Sequence, residues 1–259
     1  MNPILKKFNT DGFIVASDIL DTNTIDHCVS SIKLSFDLVI KSINPDLSFG
    51  KNLEESMGIL FDISIEKYID VCKSLWRKMT VNNLLNDKNI INYISDIFGW
   101  SDIVLPGGQV LHIMSNNLMI PGGYHGISPH QDWLSVGGSK DGLVIWVPLI
   151  DVNINNYPLE VIPGSHLKGL YPLALNEKNP WEIDETSYSY EDFHVINVKK
   201  GDIIIMSYFT VHRTSNLNSN SGFRISASTR YDNLFDKSYI SRTYPTAYSR
   251  IVNRLSSID

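Results

Sequence analysis

The sequence predicts a β sandwich or barrel braced by helices, and three observations predict it. Helical periodicity dominates up to about residue 100 and then stops. Beyond that point, short runs rich in β-branched and aromatic residues are separated by Gly and Pro turn signals. Strands and helices do not alternate, so a parallel α/β sheet is not expected, and neither GxGxxG nor GxxxxGK[ST] is present to mark a dinucleotide or P-loop site.

Each element follows from local pattern. In residues 24–43, Ile25, Cys28, Val29, Ile32, Phe36, Val39 and Ile40 fall on one helical stripe, with Asp21, Thr22 and Asn23 as candidate caps. Residues 65–81 repeat the pattern through Ile69, Cys72, Leu75, Trp76 and Met79. A third helix is expected from Thr80 or Val81 to Phe98, with Leu84, Leu85, Ile90, Ile91, Ile94 and Ile97 inward. Residues 44–64, with Pro45, Gly50 and Gly58, read as a long connection. Strands are expected at 109–114, 143–149, 159–162, 194–198, 202–207 and 224–231. The economical division is one domain over 1–259, with helical support in 1–100, a β core in 101–235 and an extension in 236–259.

Composition narrows the function. The chain has 259 residues, 43% hydrophobic and 19% charged, enough apolar content for a sizeable core and too much for a disordered chain. The net charge of −6 and the absence of a basic run disfavour nucleic acid as a partner. No apolar stretch approaches the roughly 18 residues needed to cross a bilayer, and the first residues lack a signal-peptide pattern, so a soluble, cytoplasmic protein is expected. Cys28 and Cys72 form no CxxC pair and read as reduced thiols.

The chemistry concentrates in the β half, which holds six of the seven histidines. His130-Gln131-Asp132 places a histidine and a carboxylate two residues apart. In a strand these positions share a face and can converge on one point. A second histidine from a distant strand would complete a 2-His-1-carboxylate triad, which leaves coordination positions open as non-haem iron oxygenases require. His212 follows the apolar run 202–211 and is the candidate. Arg224, twelve residues further on, lies in a strand-like run where an arginine needs an anion to offset its burial. Arg230 shares its face and competes for that role, with Arg224 preferred on spacing.

The combination His130-x-Asp132, Pro163-Gly164-Ser165-His166, and His212 followed by Arg224 resembles the phytanoyl-CoA dioxygenase family. Residues 11–15 followed by Ile25-Asp26 look like its opening strand and helix, and 142–149 and 159–166 are similar to its central strands. The resemblance implies an Fe(II)- and 2-oxoglutarate-dependent oxygenase on a double-stranded β-helix, a jelly-roll or cupin-like core packed with N-terminal helices. His130, Asp132 and His212 would ligate iron, Arg224 would pair with the distal carboxylate of 2-oxoglutarate, and Thr214 matches a hydroxyl that assists there. His112 is a possible stand-in for a lysine that some relatives use for the cosubstrate, a core histidine being the alternative. His166 becomes a structural or supporting residue.

Tyr157-Pro158 departs from the Asn-Gly that relatives show. O2 is the co-substrate, succinate and CO2 are the co-products, and a small molecule is the substrate. Trp133 and Trp146 flank the site in sequence, and Tyr124 and His125 precede it; each is a candidate substrate contact. The acidic, aromatic stretch 175–194 is a candidate lid, and its charge disfavours a coenzyme A thioester. Hydroxylation of a polar or sugar-containing metabolite is the expected reaction. Desaturation, epimerisation or cyclisation by the same chemistry, and a non-catalytic cupin-like binding module, are the alternatives.

Overall fold

In a computed structural model, residues 2–107, 109–120, 126, 128–175, 179–215 and 222–240 are described. The helical half contains α1 (Pro3–Asp11), then strand β1 (Phe13–Ala16), α2 (Thr22–Ile43), α3 (Leu53–Ile63), α4 (Ile65–Leu75), α5 (Met79–Leu85) and α6 (Lys88–Phe98). There follow β2 (Ile103–Val104), β3 (Val110–Met114), the short α7 (Trp133–Val136), β4 (Leu143–Pro148), β5 (Leu159–Val161), β6 (His194–Ile196), β7 (Ile203–Ser207), β8 (His212–Thr214), β9 (Arg224–Asn233) and α8 (Lys237–Ile240). No helix among the described residues is long and apolar enough to cross a membrane.

Two antiparallel sheets face each other. The larger runs β1-β7-β4-β9-β2, with β3 also paired to β9; the smaller runs β6-β5-β8. The larger sheet is covered on both faces, which explains why β4 and β7 are buried along their whole length and read as continuous apolar runs. Leu143, Ile145 and Val147 of β4 and Ile203 and Ile205 of β7 pack against the helices, while Val144, Trp146, Ile204 and Met206 pack toward the smaller sheet. The pleat thus serves two cores with one strand. Strand β9 obeys the same alternation with different chemistry: Ile225, Ala227 and Tyr231 join the helical core, while Arg224, Ser226, Ser228 and Arg230 occupy the other face.

Three expectations need correction. Residues 44–64 contain a helix, α3, rather than a connection. Asn52 caps it by accepting from the Glu55 amide, Glu55 reaches back to the Lys51 amide, and Leu53, Met57 and Leu60 are buried at helical spacing. Gly58 masked this pattern, yet its position faces open space and has no packing role. The helix expected over 65–81 ends at Leu75, where the Arg77 and Lys78 amides bond three residues back, and Met79 is exposed rather than inward. The helix expected up to Phe98 is two, because Asp87 accepts from the Asn89 amide and starts α6 as a cap.

Tyr231 joins the two halves. Its buried hydroxyl donates to the Leu85 carbonyl at 2.6 Å and lies 3.0 Å from Asn86 Oδ1, at the end of α5. Tyr231→Phe leaves a buried carbonyl without its donor and is expected to lower unfolding free energy by about 1–2 kcal/mol. Urea denaturation checks this; an unchanged midpoint would mean the hydroxyl contributes nothing to docking the helices.

Candidate metal and cosubstrate site

The site lies between the two sheets and starts from a backbone pairing. The His130 amide donates to the His212 carbonyl and the His212 amide to the His130 carbonyl, each at 3.1 Å. This reciprocal pair sets the two residues directly opposite each other with their side chains on one side. Their ring centroids are 4.2 Å apart. His130 Nδ1 lies 2.8 Å from the Ser128 carbonyl and His212 Nδ1 lies 3.0 Å from the Thr210 carbonyl. A carbonyl only accepts, so each Nδ1 carries the proton and each Nε2 presents a lone pair, the arrangement a metal-binding imidazole needs.

Asp132 reaches the same point by a route different from the one its spacing suggests. Only His130 makes a β bridge; Asp132 has φ −70° and ψ −24° and precedes α7. The carboxylate swings in through a helical turn, not along a strand. Gln131, fully buried between the two, holds this turn. Its Nε2 donates to the Gly169 and Phe209 carbonyls, and its Oε1 accepts from the Tyr171 amide. His130, Asp132 and His212 each offer one ligand atom, and these atoms lie within 4.8 Å of one another. Asp132 Oδ1 accepts from Arg230 Nη2 at 2.8 Å. Its Oδ2 is buried, 3.6 Å from His212 Nε2, and accepts no hydrogen bond. A buried carboxylate oxygen with no donor, facing two lone pairs, is a donor set that a divalent cation satisfies.

His130 and Asp132 line a cavity of about 390 Å³, and all three residues line a smaller, inner one. Arg224, Thr214 and His112 line both. Arg224 is almost fully buried, donates from Nη1 to the Tyr157 carbonyl and lies 5.7 Å from the Trp146 ring. Tyr157 has φ 59°, a left-handed conformation unusual for a bulky residue, and so turns that carbonyl toward the arginine. His112 Nε2 is 3.2 Å from Ser228 Oγ. Trp146 faces the inner cavity, beside Arg224.

Trp133 is not among the described residues that line these two cavities. Its indole donates to the Gly138 carbonyl and stacks on Phe209, within the core between the sheets. The turn at Asp132 that aims the carboxylate inward sends the next side chain away from the cavity. Tyr124 and His125 lie outside the described residues, as do 176–178 of the stretch 175–194. His166 stands apart from the cavities: its Nε2 is 3.3 Å from the Asn9 carbonyl, tying the Pro-Gly-Ser-His turn to α1.

Sequence reasoning missed several lining residues. Tyr68 and Cys72 reach the large cavity from α4, and Trp181 from the acidic stretch. Trp181 is placed there because Ile183 bonds the Pro129 carbonyl and Glu182 bridges to His130. Half-exposed Trp181 had a signal in its aromatic, acidic surroundings. Tyr68 and Cys72 had none: Cys72 read as core on its helical stripe, and Tyr68 lay outside that stripe.

Burial and charge set the protonation states. Burial, reinforced by Arg224 and Arg230, pushes His112 down to about 3, and burial with His212 alongside does the same to His130. Burial alone would raise the Asp132 carboxyl, but Arg230 and the two imidazoles outweigh it and hold it below the usual carboxylate range. Burial raises the Cys72 thiol to about 11, so it stays protonated.

Comparison with known proteins places this geometry. The sequence profile of the family described as "Phytanoyl-CoA dioxygenase (PhyH)" matches residues 8–226. An Arabidopsis thaliana protein named "Phytanoyl-CoA dioxygenase" is 34% identical over 99 residues, a stretch covering 37% of this chain and 35% of that protein. Among solved structures, the epimerase SnoN in complex with Fe3+, alpha ketoglutarate and nogalamycin RO superposes with a TM-score of 0.59 at 17% identity, covering 89% of this chain and 82% of that one. The non-heme monooxygenase ThoJ gives 0.58 at 15% identity, covering 89% and 77%. At such identities the structural likeness is one of fold.

The histidine protonation states have a consequence for the metal-free protein. His112 and His130 take a proton near 6.5 when unfolded but resist it down to about 3 when folded. Their stabilisation is therefore complete above the unfolded value and is lost as pH falls through the window between the two, by about 1.4 kcal/mol per pH unit for each histidine. Asp132, whose folded value is depressed, adds to the loss below the ordinary carboxylate range. The melting temperature of the metal-free protein should fall steeply from pH 6.5 to 4.5, and His112→Asn should make that slope shallower. A flat profile in the wild type would contradict neutral buried imidazoles.

Proposed function

The chain belongs to the phytanoyl-CoA dioxygenase family of Fe(II)- and 2-oxoglutarate-dependent oxidoreductases, and from that premise we propose how its residues divide the work. His130, Asp132 and His212 hold the iron. Arg224 holds the distal carboxylate of 2-oxoglutarate, with Thr214 and His112 beside it. The large cavity receives a small molecule, which is hydroxylated. The observation that carries this reading is the convergence of the three ligand atoms around the donor-free Asp132 Oδ2.

When bound, iron and 2-oxoglutarate supply the oxidising chemistry, consuming O2 and releasing succinate and CO2 while hydrogen is taken from the substrate. The protein's own contribution is orientation and exclusion of water. The two Nδ1–carbonyl bonds fix the imidazoles, and Arg230 holds Asp132 Oδ1 so that Oδ2 turns inward. Arg224 is aimed by the Tyr157 carbonyl and backed by Trp146. Its planar fork suits a carboxylate.

The substrate we favour is a compact metabolite with polar groups, sugar-containing intermediates included. Beside the metal and cosubstrate residues, Ser115, Ser135 and Arg230 set polar side chains among the apolar ones of the lining. Glu182, Asp184 and Glu185 follow Trp181 at the cavity and disfavour a coenzyme A thioester. Hydroxylation, which adds oxygen where hydrogen was removed, is the outcome we favour; desaturation, epimerisation or cyclisation would begin with the same removal of hydrogen. A non-catalytic binding module would have no use for an intact ligand set with an arginine behind it.

Anaerobic addition of Fe(II) and 2-oxoglutarate should produce the weak visible charge-transfer band of the chelate, and His130→Ala/His212→Ala should abolish it. Arg224→Gln should weaken 2-oxoglutarate binding by roughly 10- to 100-fold, the loss of a charge-assisted bond worth about 1.5–3 kcal/mol. A band that persists in the double variant would sink the metal assignment.

A further inference from the structure

One loop grips the strand ends that carry Thr214 and Arg224. It lies between β4 and β5, and four consecutive residues make the grip. The Asn155 carbonyl accepts from the Gly222 amide at 3.3 Å, and Asn156 Nδ2 donates to the Phe223 carbonyl at 3.3 Å. The Tyr157 carbonyl accepts from Arg224 Nη1. The Pro158 carbonyl accepts from the Ser215 amide at 2.9 Å, one residue past the end of β8. The approach is close, since a Cβ at Gly222 would lie 2.8 Å from Asn156 Cβ and 2.9 Å from the Asn155 carbonyl oxygen. Asn156 is itself fixed: its Oδ1 accepts from the Asn153 amide at 2.7 Å, and its Nδ2 also donates to the Asp151 carbonyl at 2.8 Å.

Tyr157 is the strained member of this loop. A bulky residue at φ 59° is uncommon, and a left-handed backbone of this kind persists only where the surroundings hold it. Here both ends of the residue are held. The carbonyl meets Arg224, and the side-chain hydroxyl is hydrogen-bonded to the Asn116 backbone. Asn116 opens the single turn that runs to Leu118, and Ser115 and Leu118 on either side of it line the large cavity. Tyr157 is almost fully buried and is not among the described residues that line either cavity. It therefore spans the distance from the wall of the large cavity to Arg224 through the protein interior. A return of residue 157 to negative φ would swing its carbonyl away from the arginine.

We propose that Tyr157 is a positioning residue for 2-oxoglutarate: its left-handed backbone aims Arg224, and its hydroxyl anchors that aim to the wall of the large cavity. The proposal rests on the reading of Arg224 as the cosubstrate's arginine and deepens it. Affinity for 2-oxoglutarate is then set in part by a residue that lies outside both cavities and touches the cosubstrate only through another side chain.

The test titrates 2-oxoglutarate into the anaerobic Fe(II) protein and reads its affinity from the charge-transfer band. Tyr157→Asn and Tyr157→Val both remove the ring and the hydroxyl and leave side chains of similar size. Asparagine adopts the left-handed conformation readily, whereas β-branched valine does not. Tyr157→Val should therefore bind 2-oxoglutarate at least about tenfold more weakly than Tyr157→Asn. Tyr157→Phe, which loses only the hydroxyl, should bind about fivefold more weakly than wild type. In an Arg224→Gln background the gap between the Asn and Val variants should vanish, which a merely structural role would not produce. Should Tyr157→Val fail to fold, Tyr157→Ala replaces it with the same order expected. Equal affinities of the Asn and Val variants, or a gap that survives Arg224→Gln, would overturn the proposal, and an unchanged affinity in Tyr157→Phe would overturn the anchoring by the hydroxyl. Absence of the band in wild type, or an affinity unaltered by Arg224→Gln alone, would defeat the cosubstrate reading instead.

Discussion

The reciprocal backbone pair between His130 and His212 is the constraint on which the site depends. It joins two segments eighty-two positions apart in sequence and makes the two imidazoles neighbours before any metal is considered. Everything else refines that juxtaposition. The Ser128 and Thr210 carbonyls choose the tautomers, Gln131 fixes the turn that brings Asp132 in, and Arg230 selects which carboxylate oxygen faces the histidines. A site held by main-chain pairing resists displacement, because separating these two residues means breaking a reciprocal pair of backbone hydrogen bonds.

The larger sheet supplies the second requirement, a polar interior within an apolar protein. Strand β9 carries it off by alternation: one face closes the helical core, the other presents two arginines and two serines to the space between the sheets. Burying that polar face is tolerable because it lines a cavity instead of meeting hydrocarbon. It also explains why both arginines share the face: six residues apart on a strand is an even number of pleats.

Much of this was legible in the sequence. Turn signals and β-branched runs located the strands, because a sheet covered on both sides needs unbroken apolar segments. His130, Asp132, His212 and Arg224 stood out by spacing. What spacing could not reveal was conformation. The His-x-Asp pair read as a strand, yet Asp132 is helical, and that single difference sent Trp133 into the core. The connection 44–64 concealed α3 because glycine and proline outweighed the capping pair Asn52 and Glu55. The interior Asp87 looked like a helix residue and is a cap. Tyr68 and Cys72 could not be told from core residues, since a cavity wall and a packed interior both select apolar side chains.

That last ambiguity bears on how such a protein changes over generations. His212, Arg224 and Arg230 sit on strands β8 and β9, and His130 is bridged to His212, whereas part of the cavity wall belongs to α4, a helix that carries none of these residues. Substitutions at Tyr68 or Cys72 reshape the cavity without touching the backbone pair between His130 and His212. The helical half is therefore the portion in which the shape of the cavity can change while the pairing of His130 with His212 stays as it is.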